Sequence, residues 1–121
     1  MKFTLEDPVT VHAVTAREPG RVRIAGRAFT RSLVVNATSI LEEWPVADVA
    51  GLPAGLDAAL ALDPDLLIVG TGERQVFPEA AVFATIAARG VGFEVMDNGA
   101  ACRTYNLLLA EGRNVALALI L

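Results

Sequence analysis

The sequence predicts one α/β domain, residues 1–121, with three layers: an N-terminal β-meander followed by a β-α-β-α-β segment. A chain of 121 residues is long enough for one domain with a core of its own. In the first third, apolar residues alternate with a period of two, as in strands with one face in solvent. From Leu66 onward, continuous apolar runs alternate with helical patterns, which predicts right-handed crossovers and a mixed, largely parallel central sheet.

The meander is predicted from four short runs that turn residues separate. Glu18-Pro19-Gly20-Arg21 forms a turn, and Pro45 ends the last run because proline cannot donate to a strand ladder. The chain's single histidine, His12, lies in the first run, so we expect a packed or surface side chain rather than a catalytic base. The predicted strands are Thr10 to Ala16, Arg21 to Ala25, Phe29 to Val35 and Ile40 to Trp44.

The rest of the chain is predicted to alternate helices with buried strands. Pro53 opens a short helix that stops near Asp63-Pro64, and Asp97-Asn98 supplies an N-cap for the longest helix. The last strand has two possible placements, parallel within the sheet or antiparallel at an edge. The further predicted elements are strands Leu66 to Val69, Phe93 to Met96 and Val115 to Leu121, and helices Ala80 to Ala88 and Gly99 to Glu111.

The composition excludes several classes of protein and site. With one Cys, the chain can form no internal disulfide and has no Cys/His cluster for zinc. Asp63 and Asp65 lack a third oxygen ligand at a recognisable spacing, which favours a turn over a metal site. Residues 1–8 lack the apolar core of a signal peptide, and no run reaches the ~18 apolar residues of a membrane span. We therefore expect a soluble, cytoplasmic protein without membrane insertion, metal or cofactor.

The charge pattern argues against nucleic acid as a partner. A net charge of -4 and a pI near 4.9 differ from the basic surface of a duplex-binding domain. Five of the ten basic residues do fall in one region, and we expect them on the solvent side of antiparallel strands. Because 54% of the residues are hydrophobic, we expect a protein partner or self-association into a homo-oligomer. The five are Arg17, Arg21, Arg23, Arg27 and Arg31.

Several polar or reactive side chains lie where two predicted strands end. Gly70-Thr71-Gly72 follows one strand and Asn98-Gly99 opens the helix after the next, so both segments would line one crevice. The Gly-Thr-Gly turn lacks the third Gly of a dinucleotide fingerprint and the Lys of a Walker motif, which favours a tight turn over a phosphate cradle. The same helix start carries Cys102, Arg103, Tyr105 and Asn106.

Two interpretations of this cluster stay open. As a ligand site, the helix N-terminus and Arg103 would favour a small anion and lower the pKa of Cys102 toward a reactive thiolate. As a structural lock, Arg103 would be buried and paired, and Asn106 would hold the backbone of the Gly-Thr-Gly loop. No histidine accompanies Cys102, so catalysis of the Cys-His kind lacks its base.

Several strings in the sequence resemble a known family. It is the domain-of-unknown-function family that includes the mitochondrial NADH dehydrogenase (complex I) assembly factor 3 and an adipogenesis-associated protein. The resemblance implies a three-layer α/β fold with a mixed central sheet and, in mitochondrial members, the assembly of a respiratory complex through protein contacts. The strings are Gly70-Thr71-Gly72, Gln75-Val76-Phe77-Pro78, Gly92-Phe93-Glu94-Val95-Met96-Asp97, Ala100-Ala101-Cys102-Arg103-Thr104-Tyr105-Asn106 and Glu111-Gly112-Arg113.

From the residues and the resemblance together, we expect a non-enzymatic binding or assembly-factor-like domain. It would act through protein contacts and the crevice at the carboxyl ends of the strands. The alternative is a small anion-binding or thiol-dependent enzyme that uses Cys102 and Arg103 at the helix N-terminus. The candidate residues, for a ligand site or a lock, are Gly70, Thr71, Gly72, Asn98, Gly99, Cys102, Arg103, Tyr105 and Asn106.

Overall fold

The computed structural model describes residues 12–121, which form eight strands and three helices. The strands are β1 Val14–Glu18, β2 Arg21–Ile24, β3 Arg27–Phe29, β4 Leu33–Val35, β5 Ile40–Leu41, β6 Leu66–Gly70, β7 Gly92–Met96 and β8 Val115–Leu119. The helices are α1 Leu52–Leu60, α2 Ala80–Ala88 and α3 Asn98–Ala110. The start of the predicted first strand, Thr10 and Val11, and the predicted lack of a targeting segment in residues 1–8 lie outside the described residues.

The strands form two sheets, and the larger one is mixed as the sequence predicts. Strands β1, β2 and β3 make an antiparallel meander, while the five-stranded sheet has the order β5-β4-β8-β6-β7. In it β8, β6 and β7 are parallel, whereas β4 pairs antiparallel with β8 and β5 pairs antiparallel with β4. The alternative that the last strand lies antiparallel at an edge is wrong. β8 is central because all five of its residues are apolar and buried, which suits a strand covered on both faces.

The predicted strand from Phe29 to Val35 is two strands in different sheets. Phe29 ends β3, and the chain then crosses to the larger sheet, where β4 begins at Leu33. The predicted strand from Ile40 to Trp44 stops after Leu41. Glu43 has a left-handed φ of 56°, and the buried Trp44 turns inward to donate its indole N–H to the carbonyl of Gly55 in α1, at 3.0 Å.

Two hydrophobic clusters lie on the two faces of the five-stranded sheet. Helix α3 and the meander cover one face, while α1 and α2 cover the other. Strand β8 divides its side chains accordingly: Leu117 and Leu119 join the α3 cluster, and Ala116 and Ala118 join the opposite cluster. The fold is therefore a three-layer α/β arrangement, which confirms the predicted class.

Helix α3 lies close against the carboxyl end of β6. A methyl group at Gly70 would overlap the side-chain oxygen of Asn98 and would lie 2.7 Å from Cδ2 of Leu119. A residue without a side chain is thus required where the strand, the helix and β8 meet.

Replacing Gly70 with Ala should destabilise the protein by about 1–3 kcal/mol, because the added methyl group overpacks this junction. Equilibrium urea unfolding measures the effect. Gly51→Ala is the matched control: its methyl group would meet only Val46, at 3.5 Å or more, so we expect a change within about 0.5 kcal/mol. Equal stability of the two variants would contradict the close approach at Gly70.

Candidate functional site

Asn98, the first residue of α3, binds the backbone of two other segments. Its backbone N–H donates to the carbonyl of Gly72 at 2.8 Å, and its Oδ1 accepts from the N–H of Gly72 at 3.0 Å. Its Nδ2 donates to the carbonyl of Ile120, just after β8, at 3.0 Å. The side chain is buried, and both polar groups are satisfied by the chain itself. The structure thus brings Asn98 and the Gly-Thr-Gly loop together.

The Gly-Thr-Gly loop is a closed turn whose polar groups bind within the protein. The N–H of Thr71 donates to the carbonyl of Met96 at 2.9 Å. The Thr71 hydroxyl accepts from the N–H of Val76 at 3.0 Å and donates to the carbonyl of Arg74 at 2.6 Å. Because the N–H groups of Thr71 and Gly72 already have partners, they are not free to cradle a phosphate. The geometry therefore favours the tight turn.

Tyr105 and Asn106 hold the meander against α3. The amide of Asn106 accepts from the N–H of Val14 at 2.9 Å and donates to the carbonyl of Val14 at 2.8 Å. The buried Tyr105 donates its hydroxyl to the carbonyl of His12 at 3.0 Å. The expectation that Asn106 holds the Gly-Thr-Gly loop is wrong. Asn98 holds that loop, and Asn106 lies about 12 Å further along α3.

Arg103 is exposed, and it forms no ion pair within residues 12–121. The expectation of a buried, paired Arg103 is therefore wrong. The position that a Cβ would occupy at Gly99 serves as a reference point. Nη1 of Arg103 lies 3.3 Å from it, and Nη2 of Arg17 lies 3.6 Å from it. The two guanidinium groups thus converge beside the start of α3. Glu73 offsets Arg17 through a 3.0 Å ion pair, and Oδ1 of Asp97 lies 3.3 Å from the same point.

A shallow groove of about 180 Å³ runs along these residues, and we name it the α3-start groove. It separates β1 from the first turns of α3, and both arginines reach it. Asp97 closes the helix end by accepting from the N–H of Ala100 at 2.9 Å. The groove is lined by Val14, Thr15, Ala16, Arg17, Gly99, Cys102, Arg103 and Asn106.

Cys102 lies at the inner side of this groove with 5% of its surface exposed. Burial raises the pKa of the Cys102 thiol to about 11, while the charges of Arg17 and Arg103 act in the lowering direction without overcoming it. The expectation that the helix start lowers this pKa is therefore wrong. Burial also raises the pKa of Tyr105, and the neighbouring Cys102 adds to that rise. His12 is occupied elsewhere, with Nδ1 2.8 Å from the carbonyl oxygen of Asn36.

A second groove lies at the carboxyl ends of β6 and β8, where the sequence predicts a crevice. We name it the strand-end groove; its first part, of about 350 Å³, lies at the strand ends, and a second part of about 440 Å³ shares Val49 and Ala50 with the first. Val76, which lines the groove, is 46% exposed, and Phe77, the next residue in the chain, is 66% exposed. The first part is lined by Ala47, Asp48, Val49, Ala50, Thr71, Gly72, Val76, Ile120 and Leu121, and the second by Val49, Ala50, Pro53 and Glu79.

Sequence reasoning missed the apolar wall of the strand-end groove. It predicts a crevice lined by Gly70-Thr71-Gly72 and the start of α3, yet Cys102 and Arg103 line the other groove. The available signal was the pair Val76-Phe77, two large apolar residues in a segment between a strand and a helix. Apolar residues in loops are a sign of a contact surface when they form a patch.

Arg17, Arg21, Arg23 and Arg27 are exposed strand residues, as expected, whereas Arg31 is exposed in the connection between β3 and β4. Four of the five N-terminal arginines are paired with glutamates. The pairs are Arg17–Glu73, Arg21–Glu18, Arg27–Glu42 and Arg31–Glu43. Such pairing leaves little free positive charge for a phosphate backbone. Across the part of the chain that the structure describes, no three metal-ligating side chains cluster, and no helix is long and apolar enough to cross a membrane.

Comparison with known proteins connects this geometry to a family. A family model described as a protein of unknown function (DUF498/DUF598) matches residues 14–120. A Francisella tularensis protein named 13 kDa major membrane protein is 35% identical over 94 residues, which are 76% of each chain. The NADH dehydrogenase [ubiquinone] 1 alpha subcomplex assembly factor 3 of Danio rerio is 41% identical over 105 residues, 84% of this chain and 60% of the relative.

A solved structure supports the same relationship. The NMR structure of a Xanthomonas campestris protein superposes with a TM-score of 0.83 at 41% identity, covering 99% of this chain and 92% of that one. The resemblance drawn from the sequence is thereby confirmed, and so is the fold that it implies.

The folded protein should react slowly with iodoacetamide at Cys102, because a pKa of about 11 leaves little thiolate at neutral pH. At pH ~8 the thiolate fraction is on the order of 100-fold below that of a thiol with pKa ~8.5. Alkylation followed by mass spectrometry should show a rate that rises with pH without a plateau near 8.5, and fast reaction after unfolding in guanidinium. A plateau below that pH would indicate an activated thiolate instead.

Asn106→Ala and Arg103→Ala distinguish the residues that hold the fold from those that do not. Loss of the two Val14 bonds should cost roughly 1–3 kcal/mol of unfolding free energy. Loss of the exposed Arg103 should change stability by no more than about 0.5 kcal/mol. Chemical denaturation measures both, and a larger loss for Arg103→Ala than for Asn106→Ala would reverse the assignment.

Proposed function

The chain belongs to the family of proteins of unknown function DUF498/DUF598, and from that premise we propose a non-enzymatic domain that acts through protein contacts, as an assembly factor does. The Danio rerio relative is named as an assembly factor for NADH dehydrogenase, and this chain spans 60% of its length. We propose that this chain likewise assists the assembly of a respiratory NADH dehydrogenase.

The observation that carries the proposal is how the polar residues at the start of α3 are used. Asn98, Tyr105 and Asn106 bind the chain's own backbone through their side chains. Side chains whose polar groups are satisfied by the chain's own backbone position the elements that they join, which supports a structural use of these residues. Apolar side chains, by contrast, are left in solvent beside the strand-end groove, as on surfaces that bind other proteins.

The thiol-dependent alternative has less support. The Cys102 thiol is buried, burial raises its pKa to about 11, and the chain's single histidine is engaged with Asn36. The anion-binding alternative is supported by the two converging guanidinium groups of Arg17 and Arg103. The nearby carboxylates of Glu73 and Asp97 offset that positive charge. Cytoplasmic localisation and self-association stay predictions from the sequence.

The proposal is tested by deleting the gene in its native organism and resolving membrane complexes on native gels. We expect less assembled NADH dehydrogenase, measured by in-gel activity, with succinate dehydrogenase unchanged as the control complex. Re-expression of the wild type and of Cys102→Ala should restore assembly equally, because the thiol has no part in the proposed role.

Two results would overturn the proposal. Unchanged NADH dehydrogenase in the deletion strain would remove the assembly role. Failure of a folded Cys102→Ala variant to restore assembly would favour the thiol-dependent alternative. Circular dichroism and thermal unfolding of the purified variant establish whether it is folded.

A further inference from the structure

The strand-end groove lies between two segments of the chain. One wall is the short 3-10 turn Val49–Gly51 with Pro53 of α1, and the other is the loop that follows β6. Together the two parts enclose about 350 Å³ and 440 Å³, enough for several side chains of a partner. Val76 lines the first part, and Phe77, the next residue in the chain, exposes a further apolar side chain.

The loop that forms one wall is held rigidly. Asn98 binds both backbone groups of Gly72, and the Thr71 hydroxyl bridges Arg74 and Val76. Gly72 itself has a φ of 104°, a conformation that residues with a side chain rarely adopt. A wall fixed in this way loses little conformational entropy when a partner binds, which favours affinity.

The charges around the groove have one sign. Asp48 lines the first part and Glu79 lines the second, while no lysine or arginine is among the lining residues. Within residues 12–121 neither carboxylate forms an ion pair, so no cation of the chain itself offsets the charge at the groove. Arg74 lies on the same loop but does not line the groove. The groove therefore combines apolar walls with an unpaired negative rim.

From this combination we infer that the strand-end groove docks a partner-protein segment in which apolar side chains are flanked by lysine or arginine. The inference rests on the proposed function and gives the chemistry of the partner. The apolar side chains would fill the two parts of the groove, and the cations would meet Asp48 and Glu79 at the rim. Apolar contact at the centre and charge complementarity at the edge are the usual arrangement of such interfaces.

The same charges disfavour two other occupants. A symmetric contact between two copies through this groove would bring the Asp48 and Glu79 carboxylates of both copies into one interface, and the chain already carries a net charge of -4. An anionic lipid surface would face the same repulsion from these carboxylates. A basic, apolar segment is the occupant that satisfies both features of the groove.

The first experiment identifies the occupant in cells. The photo-crosslinker p-benzoylphenylalanine replaces Phe77 in the full chain, and it replaces Leu107 on α3, 61% exposed, as the matched control. We expect position 77 to crosslink to a protein segment with Lys or Arg beside apolar residues, and position 107 not to capture that segment. Adducts with a second copy, with lipid or with an acidic segment, or no adduct that is specific to position 77, would overturn the inference.

The second experiment tests the charge rule in solution with two synthetic peptides. They share an apolar centre and differ only in Lys or Glu flanks. Isothermal titration should show that the Lys peptide binds the wild type and that Asp48→Lys with Glu79→Lys weakens binding about tenfold or more. Glu94→Lys with Glu111→Lys makes the same change in charge away from the groove and should leave binding unchanged. Equal effects of the two double variants would overturn the inference.

The deletion strain separates this inference from the proposed function. If the wild type restores NADH dehydrogenase assembly and Asp48→Lys with Glu79→Lys restores it equally, the assembly role stands and the groove inference fails. If deletion leaves assembly unchanged, the assembly role fails, and the crosslink and the peptides still decide what the groove binds.

Discussion

One buried amide, the side chain of Asn98, joins three parts of the fold. Its hydrogen bonds reach the loop after β6 and the residue that follows β8, while its own backbone begins α3. An apolar side chain in place of this amide would leave the part-buried N–H of Gly72 and the buried carbonyl of Ile120 without this partner, which is costly away from water. The shape of the loop, and with it one wall of the strand-end groove, depends on this contact.

Helix α3 joins the two sheets through hydrogen bonds of its side chains. Asn98 secures its first residue to the larger sheet, and Tyr105 and Asn106, two turns on, secure the meander through backbone groups of His12 and Val14. An asparagine amide that binds both groups of one residue copies the pairing of a neighbouring strand. Polar contacts thus hold the meander in place in addition to its apolar packing in the core. Asn98, Tyr105 and Asn106 of α3 use their polar groups to hold the fold together.

The sequence predicts the type and the ends of an element well where a single helical or strand pattern of apolar residues continues without interruption. Helix Ala80–Ala88 has its predicted ends, and α3 lies within one residue of its own. The division of Phe29 to Val35 between two sheets was not predictable from alternation, because a change of sheet depends on long-range pairing. The pKa of Cys102 depends on how deeply α3 is buried, and the position of Arg103 depends on which side of α3 the meander covers. Both depend on tertiary packing, which the spacing of residues along one helix does not reveal.

The position of β8 has a consequence for how the protein folds during synthesis. This strand is the last of the eight described strands in sequence order, yet it lies between β4 and β6, and its Leu119 pairs with Leu33, 86 positions earlier in the sequence. Before β8 leaves the ribosome, β5-β4 and β6-β7 are two separate pairs with no strand between them. Their apolar faces then lack the strand that completes the sheet, so cooperative folding waits for β8, and the nascent chain is exposed to aggregation until that strand is available.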